Sequence, residues 1–294
     1  MALIVVAVVG ALGTDTAIAI NAERSFARAF VNPTDGNRGL PFEPEVTISG
    51  FPALRSVAAG RYSSIGITAR AVPVYAAGTC RVNDPCHADL RTRLSDVRVP
   101  MASISNPFPQ GAVFMEVGSA TASTTLDSVA MGRLLDIDDL TVNTPAPEGK
   151  AGGGGPQDGL LSRTTGVLLT GSVSPSPHKP KKKVSVTVDL TAVDGALRLT
   201  ATGFYDGPEE HSATTLAEND RQAVLKQFSA TIPDLPMAWG ATPTSARSSG
   251  SDIVIEGTPH SQTWDPGFFL TAQKQEVYMS YTCLSGGQFH RPPC

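Results

Sequence analysis

The sequence predicts an α+β fold in which antiparallel strands carry most of the chain and one long helix lies near its start. Three observations predict it. From Asp15 to Val31, Ile18, Ala19, Ala22, Phe26, Ala29 and Phe30 recur at spacings of three and four, the period of one helical face. Val46 and Ile48 alternate with Thr47 and Ser49, and Val184, Val186, Val188 and Leu190 alternate with Ser185, Thr187 and Asp189, the period of a strand with one buried face. Charged residues make up only 17% of the 294 residues, against 28 Gly and 23 Pro, a composition that suits strands and turns better than a helix bundle.

The chain opens MALIVVAVVGALG, without a charge before Asp15. Residues 1–14 are expected to be the apolar core of a signal peptide or signal anchor, although the usual basic residues before it are missing. The run is short of the ~20 apolar residues of a spanning helix, and a buried strand or helix is the plain alternative. Asp15 is placed as the N-cap of the following helix, which Asn32-Pro33 ends. After the strand at Val46, Gly50-Phe51-Pro52 breaks the pattern: Gly50 permits unusual backbone angles and Pro52 removes a donor and fixes φ. Ala53 to Ala59 has room for about two helical turns ending at Gly60. Arg61-Tyr62 then enters a second strand, with Ile65, Ile67, Ala69 and Ala71 assigned to one face.

This strand, GFP corner, Gly60-Arg61-Tyr62 step and second strand resemble the signature of an actinobacterial cell-envelope phospholipid-binding family, the one that includes the lipomannan elongation factor A. The order of elements carries the resemblance from about Asp15 to Trp264; Ala53 departs from it, being small where a larger apolar residue is expected. The resemblance implies a strongly curved antiparallel sheet wrapped around the long helix, similar to tubular lipid-binding folds, with an apolar tunnel between them.

Further strands are expected around Val113, Met115 and Val117, then at Val184–Leu190, turning at Asp194-Gly195 into Leu197, Leu199 and Ala201, and at Ile253 and Ile255. Two more helices are expected. One spans about Ser123 to Leu135, through Leu126, Val129, Ala130 and Leu134; the other spans about Glu218 to Phe228. The Gly/Pro segment 145–159 reads as a flexible loop within one domain of residues 15–283, and 284–294 as a tail. Of the four cysteines, Cys80 and Cys86 bracket one short loop and Cys283 and Cys294 the tail. Their even number and local spacing suit two disulfides of an exported protein. Other pairings, and free thiols in a reducing compartment, remain open.

Little in the chain points to catalysis or metal. The AGGGGP run lacks the Gly-Lys-Ser/Thr ending of a phosphate loop, and the five histidines form no HExxH pair and accompany no GxSxG elbow. Asp136, Asp138 and Asp139 read as solvated or turn-forming, and no cofactor is expected. A net charge of −4 and only two Trp and five Tyr exclude a whole-molecule basic field or stacking platform for nucleic acid. The one dense basic patch, Lys179 with Lys181, Lys182 and Lys183, suits a hairpin tip first and an anionic headgroup surface second.

The resulting expectation is a non-enzymatic, exported, envelope-associated phospholipid binder. Its acyl-chain residues are Phe26, Phe30, Phe51, Leu54, Val57, Tyr62, Ile65, Ile67, Val186 and Val188, and Arg55 and Arg61 are its headgroup candidates. A membrane surface is its expected neighbour. Attachment to the membrane by the N-terminus is the expectation from the apolar opening run, whereas support of lipoglycan mannan elongation and a partner in envelope glycan synthesis follow from the resemblance alone. An extracytoplasmic hydrolase of envelope lipid or glycan would instead show a polar cleft with convergent His and acids. A structural partner-binding module would show a filled core with an exposed apolar patch.

Overall fold

A helix of 30 residues, α1 (Ala2–Val31), leads the chain. The structure, a computed structural model, describes residues 2–31, 40–74, 79–81, 83–109, 114–143, 166–176, 178–205, 216–259 and 264–270, and for 2–12 the backbone alone. After α1 come β1 (Glu45–Ser49), α2 (Ala53–Ala59), β2 (Arg61–Val74), β3 (Cys86–Arg98), β4 (Glu116–Leu126) and α3 (Ser128–Leu135). The second half holds β5 (Thr141–Asn143), β6 (Gly166–Val173), β7 (Lys182–Val193), β8 (Ala196–Phe204), α4 (Glu218–Gln227), β9 (Ala230–Ile232), β10 (Thr242–Ser249) and β11 (Asp252–Thr258). The loop expected at 145–159 and the Cys283–Cys294 pair lie outside the described residues.

The fold is α+β, with two antiparallel sheets and neither closed. One sheet is ordered β1-β2-β3-β4-β11-β10 and the other β5-β6-β7-β8-β9. They meet where β10 crosses β5, β6, β7 and β8, and their inner faces share one hydrophobic core. α1 lies along one side of the first sheet, against β1, α2 and the short turn Pro266–Phe268. Ala22, Phe26, Ala27 and Phe30 face inward while Asn21, Arg24 and Arg28 are exposed, so one stripe of the helix is covered and the other is solvated.

Four local expectations are corrected. Asp15 does not start a helix, because α1 runs through it without a break. Its carboxylate instead accepts hydrogen bonds from Ala53 N at 3.0 Å and Leu54 N at 2.8 Å. It thereby caps α2, whose own N-cap residue, Pro52, offers no side-chain hydrogen bond. Ala71 leaves the inner face of β2, since the register slips between Ala69 and Val72 and Ala71 takes φ +54°. Val72 and Val74 continue that face. The helix expected from Ser123 begins only at Ser128: Ala122, Thr124 and Leu126 point inward from β4, Asp127 caps α3 through Ala130 N, and Val129 is exposed. The Thr-rich run favours a strand because β-branched side chains fit the pleat. Phe51 and Leu54, expected among the acyl-chain residues, lie on the surface, as described below.

The hairpin expected at Asp194-Gly195 is present, with φ of +51° and +80° at its two turn residues, as a two-residue loop of this type requires. Cys80 and Cys86 form a disulfide across their short loop. The aspartates after α3 build turns: Asp136 is its left-handed C-cap, and Asp139 accepts from the amide and hydroxyl of Ser172.

Candidate functional site

The inward and outward alternation of the first sheet breaks near one end. Tyr62 opposes Val97, and Ile65 opposes Leu94. All four are buried, although the two buried positions on each strand are three apart and strict alternation would turn one of them outward. The irregularity sits at Asp96, whose φ is +53°. Its neighbour on β4 is Gly118, where a Cβ would stand 3.0 Å from Asp96 Cβ. The break leaves Tyr62 and Val97 in the core together with Ile65 and Leu94.

The C-terminal half of α1 meets a set of rings. Phe26 packs edge-on to Tyr62 at 5.3 Å between centroids and against Phe108 at 4.9 Å. Phe30 meets Phe269 at 5.2 Å and Trp239 at 6.0 Å, and Trp239 in turn meets Trp264 and Phe269. Offset and edge-to-face pairs of this kind add to their area burial. Trp239 is held in left-handed backbone, φ +47°, by bonds from its amide to Phe269 O and from its indole to Asp265 O.

Phe26, Phe30, Val57, Tyr62, Ile65 and Ile67 therefore share one interior, between α1, α2 and the first sheet. Val186 and Val188 are equally buried but belong to β7 of the second sheet. They share the common core without lying beside α1. The ring cluster of Phe108, Trp239, Trp264 and Phe269 is part of the same interior and carries no sequence signal, because those residues sit in irregular segments without period.

The corner turns Phe51 outward. α2 faces the interior through Ala53 and Val57, one helical turn apart, and leaves Leu54 and Arg55 exposed. Phe51, whose peptide to Pro52 is cis, is 76% exposed and Leu54 45% exposed. Gly60 closes the corner in left-handed backbone, φ +59°, where a Cβ would meet Val99 O at 2.5 Å. Arg61 is exposed at the start of β2 beside Arg98, which pairs with Glu116 at 3.5 Å. A shallow concavity of about 590 Å³ lies on this part of the sheet, lined by Arg61, Ser63, Asp96, Arg98 and Glu116 among others. Two of the lysines expected as a basic patch are tied to acids: Lys179 to Asp220 and Lys181 to Asp138.

Among the described residues, the buried hydroxyls of Tyr62 and Thr92 have no hydrogen-bond partner. Both side chains are buried in the first sheet, and an unsatisfied buried hydroxyl costs about 1–3 kcal/mol. Burial pushes the Tyr62 phenol up to about 12. An unfolded tyrosine titrates near 10, so the folded state holds its proton where the unfolded state has lost it. The contribution to stability is complete below pH ~10 and is lost as pH rises through ~12, about 2–3 kcal/mol in all. Tyr62→Phe is expected to remove that alkaline loss and to leave neutral-pH stability equal or higher. Denaturant titrations of both proteins from pH 8 to pH 12 check this; an unchanged alkaline slope in the variant contradicts it.

Among the described residues no group of three or more His, Cys, Asp or Glu side chains is placed to hold a metal ion. A family model described as LmeA-like phospholipid-binding matches residues 13–258. Comparison with curated proteins and with solved structures finds no match.

Proposed function

The chain belongs to the LmeA-like phospholipid-binding family, and from this premise we propose that it holds phospholipid acyl chains between α1 and the inner face of the first sheet. The chains lie against Phe26, Phe30, Val57, Tyr62, Ile65 and Ile67, each buried in the shared core. They enter past the corner, where Phe51 and Leu54 are exposed beside Arg55 and Arg61. The carrying observation is the hydroxyl of Tyr62, a residue 2% exposed and beside Phe26, which has no hydrogen-bond partner among the described residues. A lipid ester carbonyl drawn in with its acyl chains would accept that O–H, at an end of the core close to the two arginines. Burying the chains supplies about 0.8 kcal/mol per methylene.

In this reading the protein is a carrier or sensor with no catalytic step, exported to the envelope, and its lipid supports mannan elongation on a phosphatidylinositol-based lipoglycan. A phospholipid carrying a photoreactive group on its acyl chain tests the placement. Adducts mapped by peptide mass spectrometry are expected on α1 and on the inward residues of β2. Adducts confined to outward positions of the sheet contradict it.

A further inference from the structure

We propose that the end of the molecule bearing the β1–α2 corner and the β3–β4 loop is a docking surface that inserts into an anionic phospholipid bilayer. The proposal rests on the phospholipid reading above and adds which part of the protein meets the membrane.

Nine large apolar side chains are exposed among the described residues, and five of them, Phe51, Leu54, Met101, Ile104 and Phe114, belong to this one end. The strand registers bring them together. β1 ends at Ser49 opposite Ser64, just inside the corner that carries Phe51 and Leu54. Arg61, at the start of β2, opposes Arg98 at the end of β3, and Arg98 opposes Glu116 at the start of β4. Met101 and Ile104 follow β3 by a few residues, and Phe114 precedes β4 by two. Val99 N donates to Gly60 O, which ties the β3–β4 loop to the corner. Paired amide bonds between Ser103 and Asn106 fix the turn that carries Ile104. Apolar side chains held out on tied loops are the pattern of an insertion surface rather than of random exposure.

The charges fit headgroup phosphates. Arg55 and Arg61 are exposed and, among the described residues, make no ion pair. Two acids of this end are committed, Glu116 to Arg98 and Asp15 to the amides of α2. Asp96 lies further in, on the sheet.

The direction of α1 points to the same occupant. Glu23 accepts from Ile48 N in β1, and Asp15 accepts from Ala53 N beyond the corner, so the helix runs toward this end as it is followed back to its N-terminus. The turns before Asp15 continue past the corner for roughly 20 Å at 1.5 Å per residue. From Ala2 to Gly13 their sequence carries no charge. An apolar helix end and five apolar side chains leaving one end of the protein beside unpaired arginines suit a bilayer better than a protein partner, which would meet a patterned polar rim.

The test uses the full chain and vesicles of equal parts phosphatidylglycerol and phosphatidylcholine with brominated acyl chains, which quench a tryptophan that enters the bilayer. Phe114→Trp is expected to be quenched, and Val129→Trp, exposed at the far end of β4, is not, after subtraction of the wild-type signal. Met101→Ser with Ile104→Ser is expected to reduce vesicle binding, and Arg55→Glu with Arg61→Glu to weaken it about thirtyfold or more. Phospholipid occupancy, read by native mass spectrometry on the same samples, separates the two readings. Tip-dependent vesicle binding by protein that carries no phospholipid keeps the docking surface and sinks the acyl-chain site. Unquenched Phe114→Trp, equal quenching at Val129→Trp, or no vesicle binding at all overturns the docking surface.

Discussion

Phe26→Ala is expected to lower the unfolding free energy by about 3–5 kcal/mol. Phe26 is fully buried and joins α1 to two different parts of the chain, Tyr62 on β2 and Phe108 in the β3–β4 loop. Truncation removes two ring contacts and leaves a cavity that neighbours tied to separate elements cannot all close. Phe51→Ala is the matched control, because the same side chain there is 76% exposed and its loss should change stability by about 0.5 kcal/mol or less. Denaturant unfolding followed by tryptophan fluorescence gives both numbers. Equal losses would mean that α1 is not held by this ring cluster.

Gly60→Ala is expected to cost at least about 2 kcal/mol more than Gly250→Ala. Both glycines have left-handed backbone, φ +59° and +64°, so both substitutions carry the same strain of about 1–2 kcal/mol. They differ in space: a Cβ at Gly250 meets nothing within 4 Å, whereas at Gly60 it meets Val99 O at 2.5 Å and Ala102 Cβ at 2.9 Å. Relief requires the β3–β4 loop to move off the corner, which breaks the Val99 N to Gly60 O bond. Gly60→Ala should therefore also weaken vesicle binding, while Gly250→Ala should not. Matching stability losses in the two variants would show that the loop yields freely.

Where the backbone repeats, the chain could be read. The stripe of α1, the alternation of β7 and the Asp194-Gly195 hairpin all follow from period and turn chemistry. The corner was legible as a joint, since Gly50, Pro52 and Gly60 each restrict the backbone in a known way. Which way Phe51 faces was not, because a turn residue has no partner at a fixed spacing to reveal its side. The same holds for Trp239, Trp264 and Phe269, which reach Phe30 from irregular segments. Asp15 misleads for a related reason: its local context is that of an N-cap, and only the tertiary fold shows that the helix it caps is α2. A strand with one apolar face lines a packed core and a lipid chamber with equal ease, so Ile65 and Ile67 were legible as inward but not as what they face.

Native mass spectrometry of the purified full chain, before and after incubation with phospholipid, decides whether the interior takes up lipid. Phospholipid is expected at a fixed stoichiometry, with its headgroup class identified after extraction. A clean apo mass that stays apo after incubation would contradict that uptake.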